Sequence, residues 1–180
     1  MFDGFSLVPL DEAGVDLLIR WRADSEVYEW YGGRPGDPAT IRSEIAAESG
    51  LVNPCLVEFE GRSIGYLQFY PYVVADWRSA VGLAEDERDV WGIDLFLAAE
   101  ADRNRGLGTR LLRGTLEFLA AEHGARTVLI DPHLANPRAI RCYKKAGFRA
   151  LRVLLDHEQH GDEMRDALLM EWKNPATADE

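Results

Sequence analysis

An apolar segment, Trp91 to Leu97, runs almost directly into Arg103-Asn104-Arg105-Gly106-Leu107-Gly108-Thr109. A helical pattern then begins, with apolar residues at 107, 111, 112, 116 and 119. A strand, a glycine turn and an amphipathic helix in that order constrain the fold more than any other stretch of the chain. Two glycines at such a junction let the backbone approach a ligand and turn its N–H groups outward. Free N–H groups at a helix start, together with the helix dipole, favour a phosphate. Arg103 and Arg105 add positive charge beside it.

The glycine turn does not name its ligand. A third glycine is missing where a dinucleotide fingerprint needs one, because Leu111 occupies that place, and the turn follows the fourth expected strand rather than the first. No G-K-S/T follows, so a P-loop is excluded. A tight turn with no ligand fits the residues as well.

The rest of the chain reads as alternating elements. Phe5–Leu10 is expected to be a strand, and Asp11 to cap a helix reaching about Arg22. Glu29 to Gly36 is an aromatic loop rich in Gly and Pro. A short helix is expected over Thr40–Glu48. Strands at Cys55–Glu60 and Ser63–Tyr70 join through a turn at Glu60-Gly61-Arg62. Residues 73–89 read as a long loop, Val90–Leu97 as a strand, and Gly106–Glu122 as a helix stopped by Gly124. A short buried strand follows at Arg126–Ile130. Asn136-Pro137 starts a helix that runs to about Ala146 and stops at Gly147. Strands at Phe148–Leu155 and about Arg165–Trp172 close the chain as a hairpin, and its last eight residues are expected to fray. The pattern predicts an α/β (α+β) protein: one domain over residues 1–174, with a mixed central sheet flanked by helices, and a frayed tail over 175–180.

Composition sets the surroundings. The 180 residues are enough for one domain with a full core, and 47% are hydrophobic, which argues against disorder. A formal net charge of −11 disfavours nucleic acid and anionic membrane as partners and would favour a cation, although acidity that only aids solubility explains the charge by itself more readily. Arginines nevertheless gather at 103–113 and 138–152. Two cysteines without C-x-x-C spacing, no leader pattern and no span-length apolar run predict a cytoplasmic protein. No exposed apolar stripe stands out, so a monomer is expected.

Two further segments carry chemistry. Asn136 and Tyr143 are seven apart, on nearly one helix face, where an amide and a phenol could line one side of a cleft. Each also fits a plain role, as an N-cap and as a half-buried aromatic. Asp94 lies inside the apolar run Ile93-Asp94-Leu95-Phe96-Leu97, where a carboxylate is costly unless it is partnered or useful. His157-x-x-His160, near Asp156, Glu158 and Asp162, could be read as a metal site. No cysteine and no strong spacing support that, so no metal is expected. No motif for a nucleophilic triad is present.

With R-x-x-G-x-G at 103–108 and N-P-R-A-I-R-C-Y-K-K-A-G-F at 136–148, the chain resembles the GNAT superfamily of acetyl-CoA-dependent N-acetyltransferases. Within it, V-Y-E-W-Y-G-G-R at 27–34, I-G-Y-L-Q at 64–68, G-I-D-L-F-L at 92–97 and D-P-H-L-A-N-P-R-A-I-R-C-Y at 131–143 resemble the aminoglycoside 6'-N-acetyltransferases. Tyr31 stands where that family has a tryptophan. The resemblance implies a GNAT fold and acetyl-CoA as co-substrate. The cofactor would be held by Leu95, Phe96, Leu97, Arg103, Arg105, Gly106, Leu107, Gly108, Thr109, Asn136, Arg138, Ala139 and Tyr143.

It also implies a polycationic acceptor ringed by Trp30, Tyr31, Asp76, Trp77, Asp94 and Asp131. Asp94 would accept the amine's proton and Tyr143 would serve the leaving thiolate. Backbone N–H groups of residues 95–97 would face the oxyanion, if the strand is bulged there. Direct attack needs no acyl-cysteine, and Cys142 is expected to sit away from the cleft. Other amines remain open as acceptors: a polyamine, a protein N-terminus or a siderophore-type lysine. A non-catalytic acetyl-CoA-binding domain remains open as well.

Overall fold

A computed structural model describes residues 2–177. It builds one seven-stranded sheet in the order β1-β2-β3-β4-β5-β7-β6. The strands are β1 (Phe5–Pro9), β2 (Asn53–Phe59), β3 (Arg62–Pro71), β4 (Val90–Leu97), β5 (Thr127–Ile130), β6 (Arg149–His160) and β7 (Glu163–Lys173). All pairs are antiparallel except β4 with β5. The helices are α1 (Glu12–Arg22), α2 (Ser25–Tyr28), α3 (Pro38–Ala47), α4 (Ala75–Ala80), α5 (Leu107–His123) and α6 (Pro137–Ala146).

The periodic segments fold as their patterns predict. Asp11 caps α1 by accepting from Gly14 N–H at 2.8 Å. On α5, Leu107, Leu111, Leu112, Leu116 and Leu119 are all buried, and they pack with Ile93, Leu67 and Met170 of the sheet. Burying each such leucine stabilises the fold by roughly 1.5–3 kcal/mol. Gly124 and Gly147 end α5 and α6 in the left-handed conformation.

Three expectations need correction, and one unassigned stretch takes up structure: the short helix α2 follows α1 at Ser25–Tyr28, because Asp24 caps it through Glu26 N–H. The stretch 73–89 contains α4, whose Arg78 donates to the carbonyls of Tyr72, Ala84 and Glu87. Val81 and Trp77 then cover Tyr72, Leu129 and Leu169, a burial too short to show as periodicity. The closing hairpin is longer than Phe148–Leu155 and Arg165–Trp172. β6 reaches His160 through a register shift between Leu154 and Glu158, where Asp156 has φ +45° and its N–H donates to Asp166. That irregularity breaks the alternation by which a strand is recognised. Finally, Asn174 N–H bonds Arg126 O and Pro175–Thr177 form a 3₁₀ turn, so the expected fraying does not reach them; residues 178–180 lie outside the described chain.

Edge strand β6 also exposes Leu151, Val153 and Leu155. An apolar stripe is therefore present where the sequence suggested none. No helix among the described residues is long and apolar enough to cross a membrane.

Candidate active site

The site begins where two parallel strands part. β4 pairs with β5 only over Val90–Gly92, whereas it pairs with β3 along its whole length without a register shift. The bonds at the two ends of the β3–β4 ladder, Tyr72 N–H to Val90 O and Ala98 N–H to Ile64 O, fix its phase. Even-numbered residues of β4 exchange hydrogen bonds with β3, and odd-numbered ones turn their amides the other way. Leu95 and Leu97 thus present free N–H groups to the gap beyond β5, while Phe96 N–H faces β3. β4 carries no bulge here: the splay of the strands frees the N–H groups, and of two of the three residues rather than all three.

Opposite this edge stand the start of α5 and one face of α6. Gly106 takes φ +80° and no side chain caps α5, so the N–H groups of its first turn are unspent. A Cβ on Gly108 would lie 3.1 Å from Cys142 Sγ, so any larger residue there requires the cysteine side chain to give way. Cys142 lines the resulting cleft, contrary to expectation, with its thiol 3.4 Å from Thr109 Oγ1. The cleft holds about 330 Å³. Leu95, Phe96, Leu97, Arg103, Gly106, Gly108, Thr109, Asn136, Arg138, Ala139 and Tyr143 line it, joined by Arg141 and Lys145, which sequence reasoning passed over.

Two arginines look different in the structure. The Arg103 guanidinium bonds Leu97 O at 3.1 Å, Ala98 O at 2.9 Å and Glu26 at 2.5 Å, so it ties β4 to α2. Arg105 is exposed and outside the cleft lining. The Leu107 side chain is buried in the core, which leaves its backbone N–H as the group available at the start of α5. Asn136 Oδ1 caps α6 by accepting from Ala139 N–H, which leaves its amide nitrogen for a ligand.

A second cavity, of about 300 Å³, shares Trp30, Tyr31, Leu95, His133 and Tyr143 with the cleft and continues to Asp94, Asp131 and Glu158. A third adjoins it, holding Trp77, Tyr72 and His157 with the same three carboxylates. Asp76 is exposed on α4 and lines none of these cavities. Tyr31 packs edge-on against Phe96 at 5.2 Å, with Arg22 over its ring at 5.5 Å.

Asp94 sits opposite Gln68 in the ladder and accepts from Gln68 Nε2 at 2.8 Å. Gln68 Oε1 accepts from Tyr66 OH at 2.7 Å, which fixes the amide's orientation. Burial, and then the charge of Asp131, raise the Asp94 carboxyl far above the usual carboxylate range, against the Gln68 hydrogen bond. Burial and Asp131 raise Glu158 likewise. His157 Nε2–H donates to Asp131 Oδ2 at 3.1 Å, and that bond raises the imidazole's pKa against its burial. Burial raises the Tyr143 phenol, so it remains a donor.

Gln68 was legible in principle, since 64, 66 and 68 alternate onto one face. His157 and Glu158 stood out in the sequence only as part of a discounted metal motif; their place beside Asp131 was not legible, because it depends on the register shift in β6. The result is a basic cleft and an acidic cavity that meet at Tyr143.

A family model described as the acetyltransferase (GNAT) domain matches residues 11–154. The chain is a GNAT acetyltransferase. An aminoglycoside N(6')-acetyltransferase type 1 from Klebsiella pneumoniae is 36% identical over 155 residues, which are 81% of this chain and 74% of that protein. A solved structure of AAC(6')-Ib with paromomycin and acetyl-CoA shares 31% identity, covers 97% of this chain and 96% of its own, and has a TM-score of 0.77. Spermidine N-acetyltransferase from Vibrio cholerae superposes with a TM-score of 0.74 over 94% of this chain and 95% of its own. At 12% identity it shows the GNAT fold alone.

Proposed function

We propose that this acetyltransferase moves the acetyl group of acetyl-CoA to the 6'-amine of an aminoglycoside by direct attack of the amine on the thioester. The observation that carries the reading is the junction at Tyr143, where a cleft suited to a phosphorylated cofactor opens into a cavity suited to a polycation. Relatives named for aminoglycoside acetylation and kanamycin resistance support the acceptor class.

The cleft fits acetyl-CoA. Unspent N–H groups at the start of α5 suit a pyrophosphate, and Arg138, Arg141 and Lys145 supply cations along α6. Leu95, Leu97 and Ala139 offer an apolar wall, and the Asn136 amide a hydrogen bond to the pantetheine arm. When bound, acetyl-CoA supplies a thioester carbonyl as the electrophile.

The chain's residues do the rest. Asp94 binds the acceptor's ammonium and takes its proton, because only the neutral amine is a nucleophile. A carboxyl raised toward the working pH is a better proton acceptor than an ordinary one. Leu95 N–H and Leu97 N–H face the position where negative charge develops on oxygen. Tyr143, still protonated, donates to the departing sulfur. Asp131 and Glu158 hold further ammonium groups, and Trp30, Tyr31 and Trp77 flank the sugar rings. Each of these residues comes from one chain, so a monomer suffices, and two unpaired cysteines fit a cytoplasmic setting.

Thiol release from acetyl-CoA tests the reading, with mass spectrometry locating the acetyl group on the product. Acetylation at the 6' nitrogen is expected. Turnover of spermidine or a peptide N-terminus with no turnover of any aminoglycoside would assign a different acceptor.

A further inference from the structure

The space beside Asp94 continues beyond the three cavities already described. The third cavity, which holds Trp77 and His157, also takes Glu48, Val52 and Gln68 into its wall. The same residues line a further cavity of about 360 Å³ between α1, α3 and the start of β2. Leu10, Leu18, Ile45 and Val52 give that cavity an apolar wall, and Arg22 and Glu44 face it as an ion pair at 2.9 Å. Tyr143 lines the cofactor cleft and the second cavity, but neither the third nor this one. Glu48 therefore stands at the end of the acceptor space away from the cofactor.

The position is a costly one for a carboxylate. Glu48 closes α3 at its C-terminus, where the helix dipole is negative and no basic residue occupies the last turn. Glu44 precedes it by one helical turn, a like charge on the same face. The side chain is half-buried, and burial and then Glu44 raise its pKa. Among the described residues, no hydrogen bond or ion pair reaches the carboxylate. Its backbone is nevertheless fixed, because the Glu48 carbonyl accepts from Leu51 N–H at 2.9 Å and from Val52 N–H at 3.0 Å. A carboxylate held in place against a dipole, a like charge and desolvation breaks several local rules at once, and such breaks gather where a fold serves a ligand. Its charge is also felt at the reaction centre, where it adds to the rise of the Asp94 pKa.

We propose that Glu48 binds an ammonium group of the acceptor distal to the amine that is acetylated, and that the ring or arm bearing this ammonium enters the cavity between α1 and α3. A carboxylate that the chain leaves without a cation takes one from the ligand. The apolar wall beside it suits the carbon face of a sugar or a short methylene arm. An uncharged substituent would leave the carboxylate desolvated and unpaired. Glu48 has this role only if the acceptor is the polycationic sugar proposed above.

Thiol release is measured at steady state with two aminoglycosides that share the 6'-amino sugar and the central ring, one of which adds a third, amine-bearing sugar. Glu48→Gln should raise the KM of the three-ring acceptor about tenfold, the scale of one hydrogen bond to a charged group, and leave that of the two-ring acceptor nearly unchanged. The KM for acetyl-CoA should not move and kcat should not fall, since a contact made equally before and during transfer changes binding alone. Glu117→Gln removes the same charge from an exposed position on α5 and should change neither acceptor's KM. Glu48→Lys, which suits the end of a helix, should raise the three-ring KM further, and it decides the matter if Glu48→Gln does not fold. A KM raised equally for both acceptors, raised for neither, or raised as much by Glu117→Gln overturns the subsite. If the parent protein turns over neither aminoglycoside, the acceptor assignment has failed and Glu48 loses this role with it. If the parent turns over both and the Glu48 variants show no selective change, the subsite alone has failed.

Discussion

Asp94 is the side chain on which the proposed proton transfer depends. Asp94→Asn should lower turnover by at least about 100-fold, the usual scale for losing a general base, while acetyl-CoA binding measured by titration persists. The same substitution should stabilise the fold. Burial and Asp131 raise the folded-state pKa of Asp94 above its unfolded value, so the folded state keeps the proton longer. Stability therefore falls as pH rises through that raised pKa, and the uncharged variant escapes the loss. Its melting temperature should exceed the parent's above the transition and converge with it in acid. Gln68→Leu works in the opposite sense to the native contact. It removes a donor to the charged form and should move the acid limb of the kcat/KM profile, measured in chelator-treated buffer, to higher pH. Asp94 could be singled out from the sequence because a carboxylate in an apolar strand needs a reason. Its partner could not, because the pairing of Gln68 with Asp94 is a matter of register between two strands.

At the scale of elements, the cleft is made by a strand that leaves its neighbour and a helix that starts without a cap. α6 was legible to its ends and α5 to within one residue at each end, because apolar spacing, Asn136-Pro137 and the closing glycines all agree. The turn between β4 and α5 was legible as a glycine motif, but the work of its arginines was not. Arg103 serves the protein's own carbonyls, and Asp102 beneath the turn is pinned by both guanidinium nitrogens of Arg62 at 2.7 and 2.9 Å. Gly108→Val should weaken acetyl-CoA binding measured by calorimetry, since the new side chain meets Cys142 and displaces α6. Gly106→Ala meets no atom within 4 Å, so its cost is conformational, about 1 kcal/mol, and should appear as a lower melting temperature. The extension of β6 to His160 was hidden by its own register shift, and with it went half of the acidic cavity.

For the whole molecule, a net charge of −11 conceals a division of labour between a basic cleft and an acidic cavity. The fold class followed from alternation of elements, and the family from two motifs in order along the chain. The acceptor rests instead on side chains drawn from the loop after α2, from β4, from the end of β5 and from β6, which only the assembled sheet brings together. The most direct measurement is therefore a matched pair of acceptors in the thiol-release assay: one aminoglycoside with an amine at the 6' position and its counterpart with a hydroxyl there. Release of coenzyme A thiol with the amine and none with the hydroxyl is the predicted result. Equal release with both, or none with either while a polyamine is acetylated, would contradict it.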